Sequence, residues 1–137
     1  MVERNLKLRL VGNERKYFEF IRVLRNDESI KVGFINQEEI TSEQHELYML
    51  NYHASYFICL MDNEPVGYVG VIENDIRIAV LTEYHNLGIG KFMVSEILKR
   101  YPSSTAKVKV TNIPSQKLFE GLGFTKNFIT YKNPFTP

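Results

Sequence analysis

The feature that most constrains the fold lies in residues 78–91, which read Ile-Ala-Val-Leu-Thr-Glu-Tyr-His-Asn-Leu-Gly-Ile-Gly-Lys. Ile76, Ile78 and Val80 share one face of a strand, and a turn containing Gly88 and Gly90 follows. That turn runs directly into Ile89, Phe92, Met93, Ile97 and Leu98 at helical spacing. The first turn of a helix has N–H groups without intrahelical partners, and the aligned peptide dipoles make that end positive. A glycine-lined turn at this point can bind a phosphate: no side chain holds the anion away from the amides, and Lys91 adds a positive charge. A Walker loop would need glycine at His85 and Ser or Thr at Phe92, and a Rossmann fingerprint would need glycine at Met93, so both templates fail. The plain alternative is that Gly88 and Gly90 only make a tight turn.

Upstream, residues 6–11 alternate Leu6, Leu8 and Leu10 with Lys7 and Arg9, the period of a half-buried strand. Residues 13–25 carry Tyr17, Phe18, Ile21 and Leu24 at helical spacing, with Asn13 as cap and Glu14 in the first turn. A polar break covers residues 25–29, and residues 34–40 are irregular. Thr41 or Ser42 opens a second helix that is expected to carry Leu47, Leu50 and Tyr48 inward. Residues 55–61 and 66–72 flank a tight turn at Asp62-Asn63-Glu64 and predict a hairpin, and a turn at Glu73-Asn74-Asp75 leads to a third strand. After the helix from Gly88 to about Tyr101, residues 107–111 read as a short strand. Pro114 opens a last helix capped by Gly123, and residues 124–131 offer a final strand. The order βααβββαβαβ is that of an α/β fold with a mixed, mostly antiparallel sheet flanked by helices, expected as one domain over residues 1–137.

Composition removes several function classes. With 44% apolar and 24% charged residues the chain is not disordered. Seventeen basic against sixteen acidic residues provide no global field for a nucleic-acid backbone, so any anion site must be local. The single Cys59 forms no internal disulfide, no secretory signal opens the chain, and no apolar run is long enough to span a bilayer. A cytoplasmic protein with no membrane or nucleic-acid partner is expected, as a monomer or homodimer. His45, His53 and His85 lack metal-ligand spacing, and no metal is expected.

At the glycine turn the chain resembles the GNAT superfamily of acetyl-CoA-dependent N-acetyltransferases. Their loop runs Gln or Arg, two residues, Gly, one residue, Gly or Ala; here it reads His85-Asn86-Leu87-Gly88-Ile89-Gly90. Downstream the family often has Asn, two residues, Ser or Ala, three residues, Tyr, then Gly-Phe at the helix end. The chain has Asn112, Ser115, Phe119, Gly123 and Phe124. The resemblance implies that Ile78, Ala79 and Val80 lend backbone groups to the pantetheine arm, which lies like an extra strand where two sheet strands splay. It implies that Asn86, Leu87, Gly88, Ile89, Gly90 and Lys91 wrap the pyrophosphate. Asn112 would face the coenzyme near the thioester, and the helix carrying Phe119 would flank it. Core burial of Ile78 and Val80 is compatible with this, since backbone contacts leave side chains free to pack.

Two positions depart from the family pattern. Phe119 stands where many members hold a tyrosine that protonates the leaving thiolate. Lys107 stands where the ribosomal-protein alanine acetyltransferases, which share Ile-Ala-Val in the matching strand, hold a glutamate base. A thiol pKa near 8.5–9 lets a thiolate leave with little acid assistance. Glu73 and Asp75 are candidates for the base, although turns favour acidic residues for local reasons. Tyr84 and Tyr131 are candidates for the acid.

On the acceptor side, Arg25-Asn26, Phe34 and a helix bearing His45 and Tyr48 resemble the bacterial nucleotide-linked amino-sugar N-acetyltransferases of pseudaminic-acid and surface-polysaccharide pathways. In that reading Arg25 meets a diphosphate, and Tyr48 or Phe34 forms a platform for a base or ring. The alternatives are an Arg25 that caps a helix end, a core Phe34 and an exposed His45. The function implied is transfer of acetyl from acetyl-CoA to a primary amine of a small molecule, with a nucleotide-linked amino sugar as the specific acceptor. Acetylation of a peptide or protein amine, or acyl-CoA binding without turnover, is the alternative.

Overall fold

The computed structural model describes residues 7–135. Its elements are β1 (Leu8–Gly12), α1 (Arg15–Asn26), α2 (Glu28–Lys31), α3 (Ser42–Tyr52), β2 (Tyr56–Met61), β3 (Glu64–Ile72), β4 (Asp75–Val80), α4 (Ile89–Arg100) and α5 (Ile113–Gly121), with 3₁₀ turns before β2 and after β4. Leu6, expected on the first strand, lies outside the described residues.

Two turns build the sheet. Asp62 and Asn63 have φ of 50° and 70°, and Glu73 and Asn74 have φ of 52° and 65°. Left-handed backbone at both central residues matches the twist of antiparallel strands, and Asn tolerates it better than most side chains. The four strands are antiparallel in the order β1-β2-β3-β4, with one irregularity in register at Cys59/Leu60. Period-two alternation divides the core between the two faces. On one face Val69, Val71 and Ile76 pack with Ile89, Met93, Val94 and Ile97 of α4 and Phe119 of α5. On the other, Tyr56, Ile58, Leu60, Tyr68 and Ala79 pack with Ile21 and Leu24 of α1 and Met49 of α3. Burial of each such large side chain contributes about 1.5–3 kcal/mol, so these helices are held by their apolar stripes.

Several expectations need correction. Asn13 does not cap α1; Glu14 is the N-cap, without a side-chain bond, and the Asn13 amide instead donates to the His53 carbonyl. Thr41 caps α3 in a full capping box with Gln44. However, Leu47 and Leu50 point to solvent, and the inward residues are His45 and Met49. The His45 ring is drawn in by the Phe18 carbonyl, 2.7 Å from its Nε2.

The two expected C-terminal strands do not join the sheet. A single parallel bridge joins Asp75 to Thr105, with the Ile76 N–H donating to the Thr105 carbonyl at 2.9 Å. Beyond it the Lys109 carbonyl accepts from the Asn112 N–H, and the Val110 carbonyl accepts from the Gln116 side chain at 2.8 Å. These local bonds take the place of a ladder along residues 107–111. Residues 124–131 then have no neighbouring strand, and Phe128, Ile129 and Tyr131 are exposed.

Candidate active site

Hydrogen-bond alternation fixes which groups of β4 are free. In an antiparallel ladder successive residues bond inward and outward in turn. The Ile76 N–H bonds outward to Thr105, and the Leu81 N–H bonds inward to the Val66 carbonyl. Ile78 and Val80 therefore present their backbone groups to the outer edge, where no described strand pairs with them. After the Thr105 bridge residues 106–112 form no strand, so nothing in the sheet covers this edge of β4. The Ile78 and Val80 side chains pack toward α4, while Ala79 is buried on the α1/α3 face.

At the open end of this edge stands the N-terminus of α4. Gly88 is its N-cap at φ 80°, no side chain caps the helix, and the first turn contains no acidic residue. Asn86 is also left-handed at φ 64°. His85 anchors the loop to the strand, its Nε2 donating to the Val80 carbonyl at 2.8 Å. Ile89 buries its side chain in the core, so only its amide is available, whereas Lys91 is exposed. A Cβ placed on Gly90 would come within 3.3 Å of Leu118 Cδ2 and 3.9 Å of Ile78 Cδ1, so β4, α4 and α5 converge on that glycine. Free amides at a positive helix end, a free strand edge and a cradle lined by glycine are groups that fit the pyrophosphate and amide-bearing arm of acetyl-CoA.

Asn112 and Phe119 occupy this region in different ways. The Asn112 side-chain Oδ1 caps α5 by accepting from the Ser115 N–H at 3.2 Å, and its Nδ2 donates to the Gly33 carbonyl at 3.3 Å. Lys109 reaches the neighbouring Val32 carbonyl at 3.0 Å. The loop after α2 is thus tied to the segment that leads into α5. Ser29 adds a contact to the turn after β4, its hydroxyl 2.9 Å from that of Thr82. Phe119 is a core residue, 6% exposed and edge-on to Phe124 at 5.1 Å between centroids.

On the opposite face of the sheet a cavity of about 290 Å³ is lined by Arg25, Phe34, Asn36, Glu38, Glu39, Ile40, Gln44 and Tyr48. Three side chains expected at the acceptor, Arg25, Phe34 and Tyr48, therefore lie together. His45 lies outside this lining: it is 3% exposed beneath α1, neither a wall of the cavity nor the exposed helix residue of the alternative. Asn36, Glu38 and Glu39 escape sequence reasoning because a polar run in an irregular segment reads as a solvated loop, and Gln44 because it reads as the first turn of a capped helix. Asn26 ties α1 to the lining loop, exchanging hydrogen bonds with the Ile40 backbone at 2.7 and 2.8 Å. Arg25 lies over the Tyr48 ring at 4.9 Å.

Behind Tyr48 its hydroxyl meets that of Tyr56 at 2.6 Å, and burial pushes the Tyr56 phenol up from its ordinary value. Tyr56, Gly70 and Arg77 are successive partners across β2, β3 and β4. A Cβ on Gly70 would lie 2.6 Å from the Tyr56 ring, so glycine is what lets that ring lie across the sheet toward β4.

The remaining candidates are placed as follows. Glu73 is an exposed turn residue, and Asp75 is ion-paired with Arg77 at 2.9 Å. Asp75 stands at the start of β4 beside the Thr105 bridge, about 17 Å from Val80 at 3.3–3.4 Å per residue, with Glu73 in the turn before it. Tyr84 is half-buried against the α4 core, and Tyr131 is 89% exposed. Cys59 is buried, its thiol pushed up to about 11 by burial, and so is a poor nucleophile. Among the described residues no three His, Cys, Asp or Glu side chains gather as metal ligands, and no helix is long and apolar enough to cross a membrane.

The architecture is shared with solved structures. A domain from Methanocaldococcus jannaschii superposes with a TM-score of 0.79 at 26% identity, over 96% of this chain and 94% of that one. Spermidine N-acetyltransferase from Vibrio cholerae, in complex with CoA and spermine, gives 0.74 at 22% identity over 88% and 82%. The aminoglycoside N-acetyltransferase AAC(6')-Iy, in complex with CoA, gives 0.66 at 18% identity over 98% and 99%. No curated protein sequence matches the chain. The acetyltransferase (GNAT) family matches residues 18–124, the stretch from α1 through the β4–α4 turn to the end of α5. The chain belongs to the GNAT family of acetyltransferases, which draw their acetyl group from acetyl-CoA.

Proposed function

We propose that acetyl-CoA binds along the outer edge of β4 and the N-terminus of α4, and that the amine acceptor occupies the cavity between α1 and α3. The observation that carries this reading is the strand edge at Ile78 and the Val80 N–H, which no described strand pairs, running into the uncapped helix end at Gly88. When bound, the coenzyme supplies an acetyl group activated as a thioester. The amides of Ile89, Gly90 and Lys91 hold its diphosphate, and the backbone groups of Ile78 with the Val80 N–H align its arm along β4. Positioning of the two reactants side by side supplies much of the rate. The C–N bond forms as the C–S bond breaks, with the amine proton passing to a base and the thiolate leaving unassisted by Phe119. Asp75, held by Arg77 at the start of β4, is our candidate for that base, with Glu73 in the turn before it.

For the acceptor itself we propose a nucleotide-linked amino sugar, with Arg25 on the diphosphate and Phe34 and Tyr48 flanking the base or ring. Support comes from the presence of these three side chains in one cavity of metabolite size. The test is amine-dependent release of free thiol from acetyl-CoA, with products weighed by mass spectrometry. Amino-sugar nucleotides, polyamines, aminoglycosides and peptides form the panel. Turnover of amino-sugar nucleotides supports the specific acceptor; turnover of peptides alone removes it.

A further inference from the structure

Four of the five basic residues on α1 and α2 have a carboxylate partner. Arg15 pairs with Glu46, Lys16 with Glu14, Arg22 with Glu19 and Lys31 with Glu28. Arg25 is the fifth. Among the described residues it has no ion pair, and its guanidinium lies over the Tyr48 ring, on the cavity wall. Across the same cavity stand Glu38 and Glu39, which also form no ion pair within 4 Å among the described residues. Glu39 acts electrostatically on Arg22, which leaves Glu38 as the carboxylate without a cation of its own.

Opposite charges thus line one small cavity without pairing with each other. Arg25 lies against the Tyr48 ring, and the backbone that follows Glu38 and Glu39 is held by the Asn26 clamp on Ile40 and the capping box at Thr41. With its carbon over the ring and no ion pair, the guanidinium has N–H donors to offer a carboxylate or phosphate. A ligand with one charge only would satisfy one wall and face repulsion from the other.

We infer that the cavity selects an acceptor carrying an anionic group as well as its amine, with the anion on Arg25 and the ammonium toward Glu38. This rests on the acceptor-site reading and adds to it the requirement for both charges and the role of Glu38. It sets the cavity apart from one built for a polycation, which Arg25 would repel.

The experiment compares amines that differ only in the anion: lysine with cadaverine, phosphoethanolamine with ethanolamine, and glucosamine 6-phosphate with glucosamine. Thiol release from acetyl-CoA is the readout. The first pair presents a carboxylate and the other two a phosphate, so the preferred anion is read directly. In every pair that turns over, the anionic member is expected to have at least tenfold higher kcat/KM. Arg25→Gln should bring the two members within about threefold, chiefly through KM, and Arg25→Lys should restore part of the preference, which a folding defect would not do. Glu38→Gln should raise KM for both members of a pair alike. Equal or better turnover of the member without an anion overturns the inference. If KM shifts in Arg25→Gln but both members respond equally, the inference falls and the acceptor site stands. If neither Arg25→Gln nor Glu38→Gln moves KM for any amine, the acceptor-site reading falls, and the inference with it.

Discussion

The hydroxyl of Tyr48 lies 2.6 Å from that of Tyr56, joining a wall of the acceptor cavity to a phenol that is 2% exposed. The two partners are unequally placed. Removing the Tyr48 hydroxyl strands that of Tyr56 in the core, whereas removing the Tyr56 hydroxyl leaves Tyr48 able to turn to water in the cavity. Tyr48→Phe should therefore cost about 1–3 kcal/mol and Tyr56→Phe about 0.5–1.5 kcal/mol, with the double substitution less costly than the sum. Urea denaturation of the three variants measures this, and equal single costs would contradict it.

Asn112 holds two structures at once, the start of α5 and the Gly33 carbonyl. Asn112→Ala should cost about 1–2 kcal/mol through the lost cap, while Asn112→Asp, which keeps the acceptor, should cost less. A Cβ at Gly33 would lie 2.7 Å from the Asn112 amide nitrogen and must displace it. Gly33→Ala and Asn112→Ala should then be non-additive by at least about 0.5 kcal/mol in a double-mutant cycle.

His45 makes stability depend on pH. Burial holds its pKa below the ordinary 6.5, and Arg25 and Arg22 add to this, against the Phe18 hydrogen bond and Glu19. Its Nδ1 is buried without a partner, so protonation places a charge where nothing receives it. Because the unfolded chain binds that proton more readily, the contribution is constant above about pH 6.5 and is lost as pH falls below it. Glu19 and Asp27, lowered by bonds from Arg22 and Ser29, act further down, as pH falls through the carboxylate range. Unfolding free energy should fall between pH 7.5 and 5.5 in native protein and less steeply in His45→Gln. Equal slopes would contradict the assignment.

Phe119 tests whether an acid is missing. In Phe119→Tyr the new hydroxyl enters a core position against Phe124, so the variant should lose about 1–3 kcal/mol of stability. Its kcat should stay within about tenfold of native, or about 1.4 kcal/mol in barrier. A gain of a hundredfold would show that the native site lacks an acid it can use.

The hairpins and the α4 turn were legible because their signals are local: Asp62-Asn63 and Glu73-Asn74 suit left-handed backbone, and Gly88 suits the cap. The face of α3 was not. Leu47 with Leu50 and His45 with Met49 both satisfy helical spacing, and the choice between them is made by the Phe18 carbonyl on another helix. Residues 107–111 have strand residues, yet their carbonyls go to the Asn112 backbone and the Gln116 side chain. At the candidate site Arg25, Phe34 and Tyr48 could be named in advance. Glu38 and Glu39 could not, since only the Asn26 clamp brings that loop against α1.

The central claim is that coenzyme and acceptor occupy separate places on the chain, and calorimetric titration of coenzyme A tests it most directly. Gly88 is at φ 80° with open space where a Cβ would stand, so Gly88→Asp strains the cap by about 1–2 kcal/mol and sets a negative charge beside the free amides. Coenzyme A affinity should fall at least tenfold in Gly88→Asp that remains folded by circular dichroism, and stay within about twofold of native in Arg25→Gln. Unchanged affinity in folded Gly88→Asp, or a tenfold loss in Arg25→Gln, would contradict the account.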